Sequence, residues 1–232
     1  MDHIDESRLY EMALDYWPYR TSLSAVVDQV CLYAPPNGTL LDMMCGPGYL
    51  LGRIAEMRPD LHVLGVDIEA RHVEYGRRAH PKISFEAGNV LEWCRSSPFD
   101  VVVCTGALHH VPRASQEAAI ANIAYAVKSE GFVVLSDCYI DHYANEIQRK
   151  RAAARLGYEY LDETIANGAP EVVIRLTSAI QLDDVLGVEF KTSVRRREPI
   201  LKKYFAKATT RRTWPTESSG RGDYVHVCSQ PR

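Results

Sequence analysis

The chain has 232 residues, 46% of them hydrophobic and 25% charged, which suits one full α/β core with a small insertion and argues against disorder. A formal net charge of −3 with a pI near 6.2 excludes a general electrostatic attraction to nucleic acid or to an anionic membrane. No apolar run approaches the roughly 18 residues that cross a bilayer, and the opening MDHIDESRLYE lacks the basic-then-apolar layout of a secretory signal, so a cytoplasmic protein is expected.

In chain order, Leu9, Met12, Ala13, Tyr16 and Tyr19 recur at helical spacing, giving one or two helices that stop at the breaker Ala34-Pro35-Pro36-Asn37-Gly38. Strands and helices then alternate. The strand Thr39–Met44 precedes a helix over Tyr49–Arg58, and Val63–Val66 precedes one over Ala70–Ala79. Ile83–Glu86 is a short strand, and Phe99–Cys104 leads through a helix over Ser115–Lys128 to a fifth strand at Gly131–Ser136. Unbroken apolar runs such as VVVC and FVVL suit central strands buried on both faces, hence a parallel sheet covered by helices. Residues 141–185 read as helices interrupted at Gly168-Ala169-Pro170, and Val188–Arg197, Ile200–Thr209 and Tyr224–Cys228 read as strands, with a polar loop over 213–222. The six cysteines (Cys31, Cys45, Cys94, Cys104, Cys138 and Cys228) include no C-x-x-C pair, so they read as free thiols, mostly small core residues.

The stretch LLDMMCGPG, residues 40–48, carries the first chemistry. An apolar strand holding Asp42 runs into Gly46 and Gly48, and the helix-forming YLLGRIAEM follows at once. A strand, a glycine turn and a helix N-terminus let a nucleotide-like ligand lie against bare backbone. Asp67 closes the next apolar run, HVLGVD, about 20 residues on, the place where such units set a carboxylate against ribose hydroxyls. By itself the glycine pattern also fits a dinucleotide enzyme.

The order of these motifs resembles the Class I S-adenosylmethionine (SAM)-dependent methyltransferases over about residues 39–137. That family has an acidic residue and glycines after strand one, an acidic residue after strand two, and Asp or Asn after strand three. Here these are Asp42 to Gly48, Asp67 and Asn89. Two positions depart from the usual pattern: Met44 stands in place of the first glycine, and Asn89 in place of the commoner Asp. Asp42 within strand one and the segment TGALHHVP after strand four favour SAM over NAD. The implied fold is α/β, a Rossmann-like, mostly parallel seven-stranded sheet with helices on both faces, N-terminal helices and a helical insertion after strand five. The implied organisation is an N-terminal helical cap over 1–38, a SAM-binding core over 39–140, a helical cap over 141–185 and sheet-completing strands over 186–232.

The resemblance implies SAM as cofactor, released as S-adenosylhomocysteine (SAH), with Asp42, Met44, Gly46, Gly48, Asp67, Ile68, Asn89, Val90, Thr105 and Gly106 around it. Asp67 is expected at the ribose, Ile68 and Val90 on either side of the adenine, and Thr105 with Gly106 beside the methionine part. His109 and His110 are the candidate proton acceptors, because imidazole titrates near neutrality. Tyr10, Tyr16 and Arg20 before the core, with Tyr139, His142 and Tyr143 after strand five, are the candidate acceptor-binding residues. Methylation of base amino groups is disfavoured, since an Asn/Asp-Pro-Pro-aromatic turn is absent after strand four. No cysteine is followed by proline, which argues against 5-methylcytosine formation. Only Asp137 lies where catechol-type enzymes carry magnesium-binding carboxylates, so no metal is expected. The remaining reading is a methyltransferase of biosynthetic type acting on a small molecule at O, N or C. The alternatives are an RNA or protein methyltransferase using the basic run RRREPILKKYFAKATTRR (195–212), or a SAM-binding relative that transfers no methyl.

Overall fold

The computed structural model describes residues 6–217 and 219–232; the first five residues of the expected cap and position 218 of the expected polar loop lie outside it. Helices α1 (Glu6–Leu14) and α2 (Arg20–Tyr33) precede an alternating core. That core is β1 (Thr39–Met43), α3 (Tyr49–Met57), β2 (His62–Asp67), α4 (Ala70–Ala79), β3 (Ser84–Ala87), β4 (Phe99–Thr105), α5 (Gln116–Ala126) and β5 (Val127–Tyr139). The chain continues through α6 (Glu146–Ala166), α7 (Glu171–Leu186), α8 (Val194–Tyr204), β6 (Phe205–Trp214) and β7 (Gly222–Pro231).

The seven strands form one sheet in the order β3-β2-β1-β4-β5-β7-β6. The first five run parallel, while β7 pairs antiparallel with both β5 and β6, so the sheet is mixed. The apolar runs behave as buried central strands should, sending alternate residues to opposite faces. Leu40, Val101, Val103 and Val134 join the core beneath α1 to α4, and Leu41, Met43, Val102, Val133 and Leu135 join the one beneath α5 and α8. Each strand therefore covers both faces, and β1 and β4 are left with their C-terminal ends on the same edge, where the order reverses between them.

Two expectations for the C-terminal part are corrected. Val188–Arg197 contains no strand, and the segment expected as a strand over Ile200–Thr209 is helical until Tyr204. The reason lies in spacing: Arg197 and Leu201, four residues apart, are both buried against the lower core, a helical rather than an alternating pattern. Arg197 donates to Gln116 Oε1, so a residue read as part of a charged run points inward. The basic run 195–212 is thereby split between a helix and an edge strand.

Candidate active site

The strand-ending segments of β1, β2, β3 and β4 enclose a cavity of about 470 Å³. Met44, Gly46, Asp67, Ile68, Asn89, Val90, Thr105 and Gly106 all line it, as do Tyr10 and His110. Gly48 (φ +98°) forms the turn behind it; a Cβ there would stand 2.7 Å from the Phe85 ring, which only glycine avoids. At Gly46 no atom lies within 4 Å of where a Cβ would be, leaving backbone open.

Met44 explains the first departure from the family pattern. Its φ is +66°, the left-handed region that glycine enters freely and a side-chain-bearing residue enters at a cost. Its N–H and that of Cys45 both donate to the Val66 carbonyl, at 2.7 and 3.0 Å, and these bonds hold the turn in place.

Asp67 is the best-anchored group of the cavity. Its Oδ2 accepts from the Gly46 N–H at 2.7 Å and its Oδ1 from the Glu69 N–H at 2.9 Å. Burial opposes its charge, but His72, 3.8 Å away, and these two amides outweigh burial and hold its pKa below the ordinary value. Two carboxylate oxygens offer about four acceptor sites, so each retains one for a ligand hydroxyl. Asp42 sits behind the wall in β1, 1% exposed, with Oδ1 lacking a hydrogen-bond partner. Burial, and then the charge of Asp67, push its pKa well up. An orphaned buried acid beside a second acid, an open glycine turn and a carboxylate with spare lone pairs fit a ligand that brings a cation and a diol, as SAM does.

A second cavity, of about 100 Å³, lies between the sheet edge and the α6–α7 pair. Tyr10, Tyr19, Gly106 and His110 line both cavities and mark their junction. Gly106 (φ +59°) allows this approach: a Cβ there would meet the Tyr19 ring at 3.2 Å. His109, Glu189 and Lys191 also line the second cavity, with Leu156 and Gly157 from α6 and Ile180 from α7.

The imidazole of His109 is buried, with Nδ1 2.5 Å from Asp137 Oδ1. Burial lowers its pKa despite the opposing pull of Asp137, so the ring is neutral at neutral pH. Burial also opposes the charge on Asp137, but His109 and Arg197 outweigh it and keep that pKa low. Glu189 lies 2.8 Å from His110 Nδ1. Burial works against its charge too, yet neighbouring groups, His110 foremost and Lys191 among them, hold its pKa down at about 2.

The acceptor-side expectations fare unevenly. Tyr10 lines both cavities, but Tyr16, Arg20, Tyr139, His142 and Tyr143 line neither. Arg20 donates to Asn167 Oδ1 at 3.0 Å, and the Tyr16 carbonyl accepts from Asn167 Nδ2, so both fasten the N-terminal segment to the α6–α7 turn. Tyr139 turns to the opposite face from Cys138, where its hydroxyl meets His226 Nε2 at 2.8 Å. His142 pairs with Ser193, and Tyr143 packs under Arg196. The sequence reading missed Glu189, Lys191 and Asp184: Lys191 Nζ sits 2.7 Å from both Asp184 oxygens, a buried pair formed across a helix end. It also missed the partner role of Asp137, whose closeness to His109 depends on the pairing of β4 with β5.

Comparisons place the core. A family model described as "Methyltransferase domain" matches residues 40–131. A trans-aconitate 2-methyltransferase of Pseudomonas paraeruginosa is 30% identical over 88 residues, 38% of this chain and 31% of that protein. One from Rhodopseudomonas palustris is 31% identical over 84 residues, 36% of this chain and 32% of that protein. The chain thus spans about a third of the length of the curated relatives it matches. Among solved structures, a Pyrococcus horikoshii protein has TM-score 0.62 at 14% identity, covering 92% of this chain and 91% of its own. The SAH-bound magnesium protoporphyrin IX methyltransferase of Synechocystis has TM-score 0.60 at 14% identity, covering 100% of this chain and 90% of its own. At such identities these structures speak for the fold alone. Residues 40–131, which hold the glycine turn and the acidic residues of β1 and β2, are thus similar to a methyltransferase domain, on a fold shared with these solved structures.

Proposed function

We propose that the chain transfers a methyl group from SAM to a small, largely neutral molecule through an O, N or C nucleophile. The carrying observation is the junction of the two cavities at Tyr10, Tyr19, Gly106 and His110, which puts a cofactor-sized space end to end with a smaller one. When bound, SAM supplies a methyl already activated on a sulfonium. The chain's residues then hold and align. Asp67 takes the ribose hydroxyls with its spare lone pairs, Asn89 faces the adenine edge, and Ile68 and Val90 flank its ring. Asp42 balances the cationic amino group from beneath the turn. Tyr10 and Tyr19 keep water from the junction, and holding an acceptor in line there is worth several kcal/mol of barrier. A proton lost by an O or N acceptor has His109, His110 and Glu189 within the same wall.

The small cavity narrows the acceptor. Lys191 is its one lysine or arginine among the described lining residues, and Asp184 takes that charge. Glu189 adds a negative charge. This lining disfavours a polycarboxylate such as trans-aconitate, the substrate in the relatives' names, and suits an uncharged ring or short chain. The helical cover and the split basic run likewise favour a small molecule over RNA or protein. No helix among the described residues is long and apolar enough to cross a membrane. We place the enzyme in the cytosol, where its six free thiols stay reduced.

Incubation with methyl-labelled SAM and fractionated small-molecule pools tests this reading. Labelled product and SAH are expected together, from neutral fractions rather than from tricarboxylic acids. Intact SAM binding without SAH formation in every pool would refute methyl transfer.

A further inference from the structure

Three donor atoms converge at the wall of the small cavity and are left without hydrogen bonds to one another. His109 and His110 belong to a short 3-10 turn after β4, and Glu189 arrives from beyond α7. Glu189 Oε2 lies 2.8 Å from His110 Nδ1 and 3.6 Å from His109 Nε2. The longer contact is beyond hydrogen-bond distance, the shorter is an ion-pair contact, and Oε2 is buried with no hydrogen-bond partner. The three ligand-type atoms all fall within 4.8 Å of one another. His109 is fixed from behind, because the Asp137 carboxylate accepts the Nδ1 proton at 2.5 Å, which leaves the Nε2 lone pair facing Glu189. A carboxylate behind an imidazole is the usual outer support of a metal-bound histidine.

We propose that His109 Nε2, His110 Nδ1 and Glu189 Oε2 bind a divalent transition-metal ion whose remaining positions open toward the small cavity. Nitrogen and oxygen donors at bonds of about 2.0–2.2 Å stand roughly 3.0–3.4 Å apart around one ion. The contacts of 2.8 and 3.6 Å bracket that spacing, and with all three atoms within 4.8 Å of one another, side-chain rotation closes the set. Two imidazoles and one carboxylate suit zinc, cobalt, nickel or ferrous iron, whereas magnesium and calcium prefer oxygen alone. The donor set is of a different kind from the carboxylates that the sequence reading looked for after β4 and β5. An ion there would grip an acceptor hydroxyl or carbonyl and lower its pKa, in place of proton uptake by the same three atoms; that role rests on the methyltransferase reading, but binding of the ion does not.

The test is titration of chelator-stripped, reduced full-length protein with cobalt(II) and zinc(II), followed by calorimetry and by the visible d–d bands of cobalt. One ion per chain is expected. Glu189→Gln and His110→Ala should each weaken binding at least about tenfold, and Asp137→Asn about 10- to 100-fold. Circular dichroism and thermal unfolding of each variant report whether it folds. His110 is half exposed and Glu189→Gln is isosteric, so folded variants are expected. The absence of a saturable ion, equal binding by wild type and folded variants, or a cobalt spectrum dominated by thiolate bands would overturn the proposal. No SAM enters this titration, so its failure is separate from a failure of methyl transfer.

Discussion

At the scale of single residues, the lining of the larger cavity was legible because its parts are local. A strand end, a turn and a helix start are each specified within a few residues, so Gly46, Asp67 and Asn89 could be named before any fold was known. Met44 shows the limit of that legibility. The pattern marks it as a missing glycine, whereas its φ of +66° shows that the backbone keeps the glycine-like conformation and the methionine bears the strain. A β-branched side chain tolerates that region least. Met44→Val is therefore expected to lower stability by about 1–3 kcal/mol, read as a fall in unfolding midpoint in denaturant, with Met44→Gly near wild type. Equal midpoints for all three proteins would mean that the turn is not held as described.

At the scale of elements, the lining of the small cavity was opaque in the sequence. It is assembled from contacts across the chain, such as Trp17 Nε1 donating to Thr177 Oγ1 at 2.7 Å and Arg20 reaching Asn167. Proximity to the end of β5 suggested Tyr139, His142 and Tyr143, but Tyr139 turns to His226 of the antiparallel partner β7, and His142 and Tyr143 meet Ser193 and Arg196. Neither fact can be read from local spacing. Gly157 brings α6 close against α7: a Cβ on it would lie 2.4 Å from Gln181 Cγ and 3.0 Å from its Cβ. Both residues line the small cavity. Gly157→Ala should shift α7 and change the small cavity while leaving the larger one alone. The expected result is a several-fold rise in KM for the acceptor, an unchanged Kd for SAH, and a stability loss of about 1–3 kcal/mol. A weakened Kd for SAH with an unchanged acceptor KM would contradict the assignment of the two cavities.

At the scale of the whole molecule, α6 is tied to the last strand through Tyr160, whose hydroxyl donates to both oxygens of Asp223 at 2.7 Å. Asp223 is fully buried, and burial pushes its pKa up to about 7, against the pull of the Tyr160 and Cys138 hydrogen bonds. The folded chain therefore holds this proton more tightly than the unfolded chain, whose Asp titrates near 3.9. The stability contributed by Asp223 is full below about pH 4, is lost as pH rises from about 4 to about 7, and is constant above that. Asp223→Asn keeps an acceptor for Tyr160 without the charge. Its stability relative to wild type should thus rise by about 2–4 kcal/mol between pH 4 and pH 8, measured by denaturant unfolding. A difference that stays flat with pH would place the proton elsewhere.

The central claim is that the larger cavity is a SAM site anchored on Asp67, and calorimetric titration with SAM, SAH and NADH tests it most directly. The account predicts saturable binding of SAM and SAH with one site per chain, no heat from NADH, and at least a tenfold loss of affinity in a folded Asp67→Ala variant, about the worth of one charged hydrogen bond. NADH binding in place of SAM, or undiminished SAH binding by the variant, would contradict it.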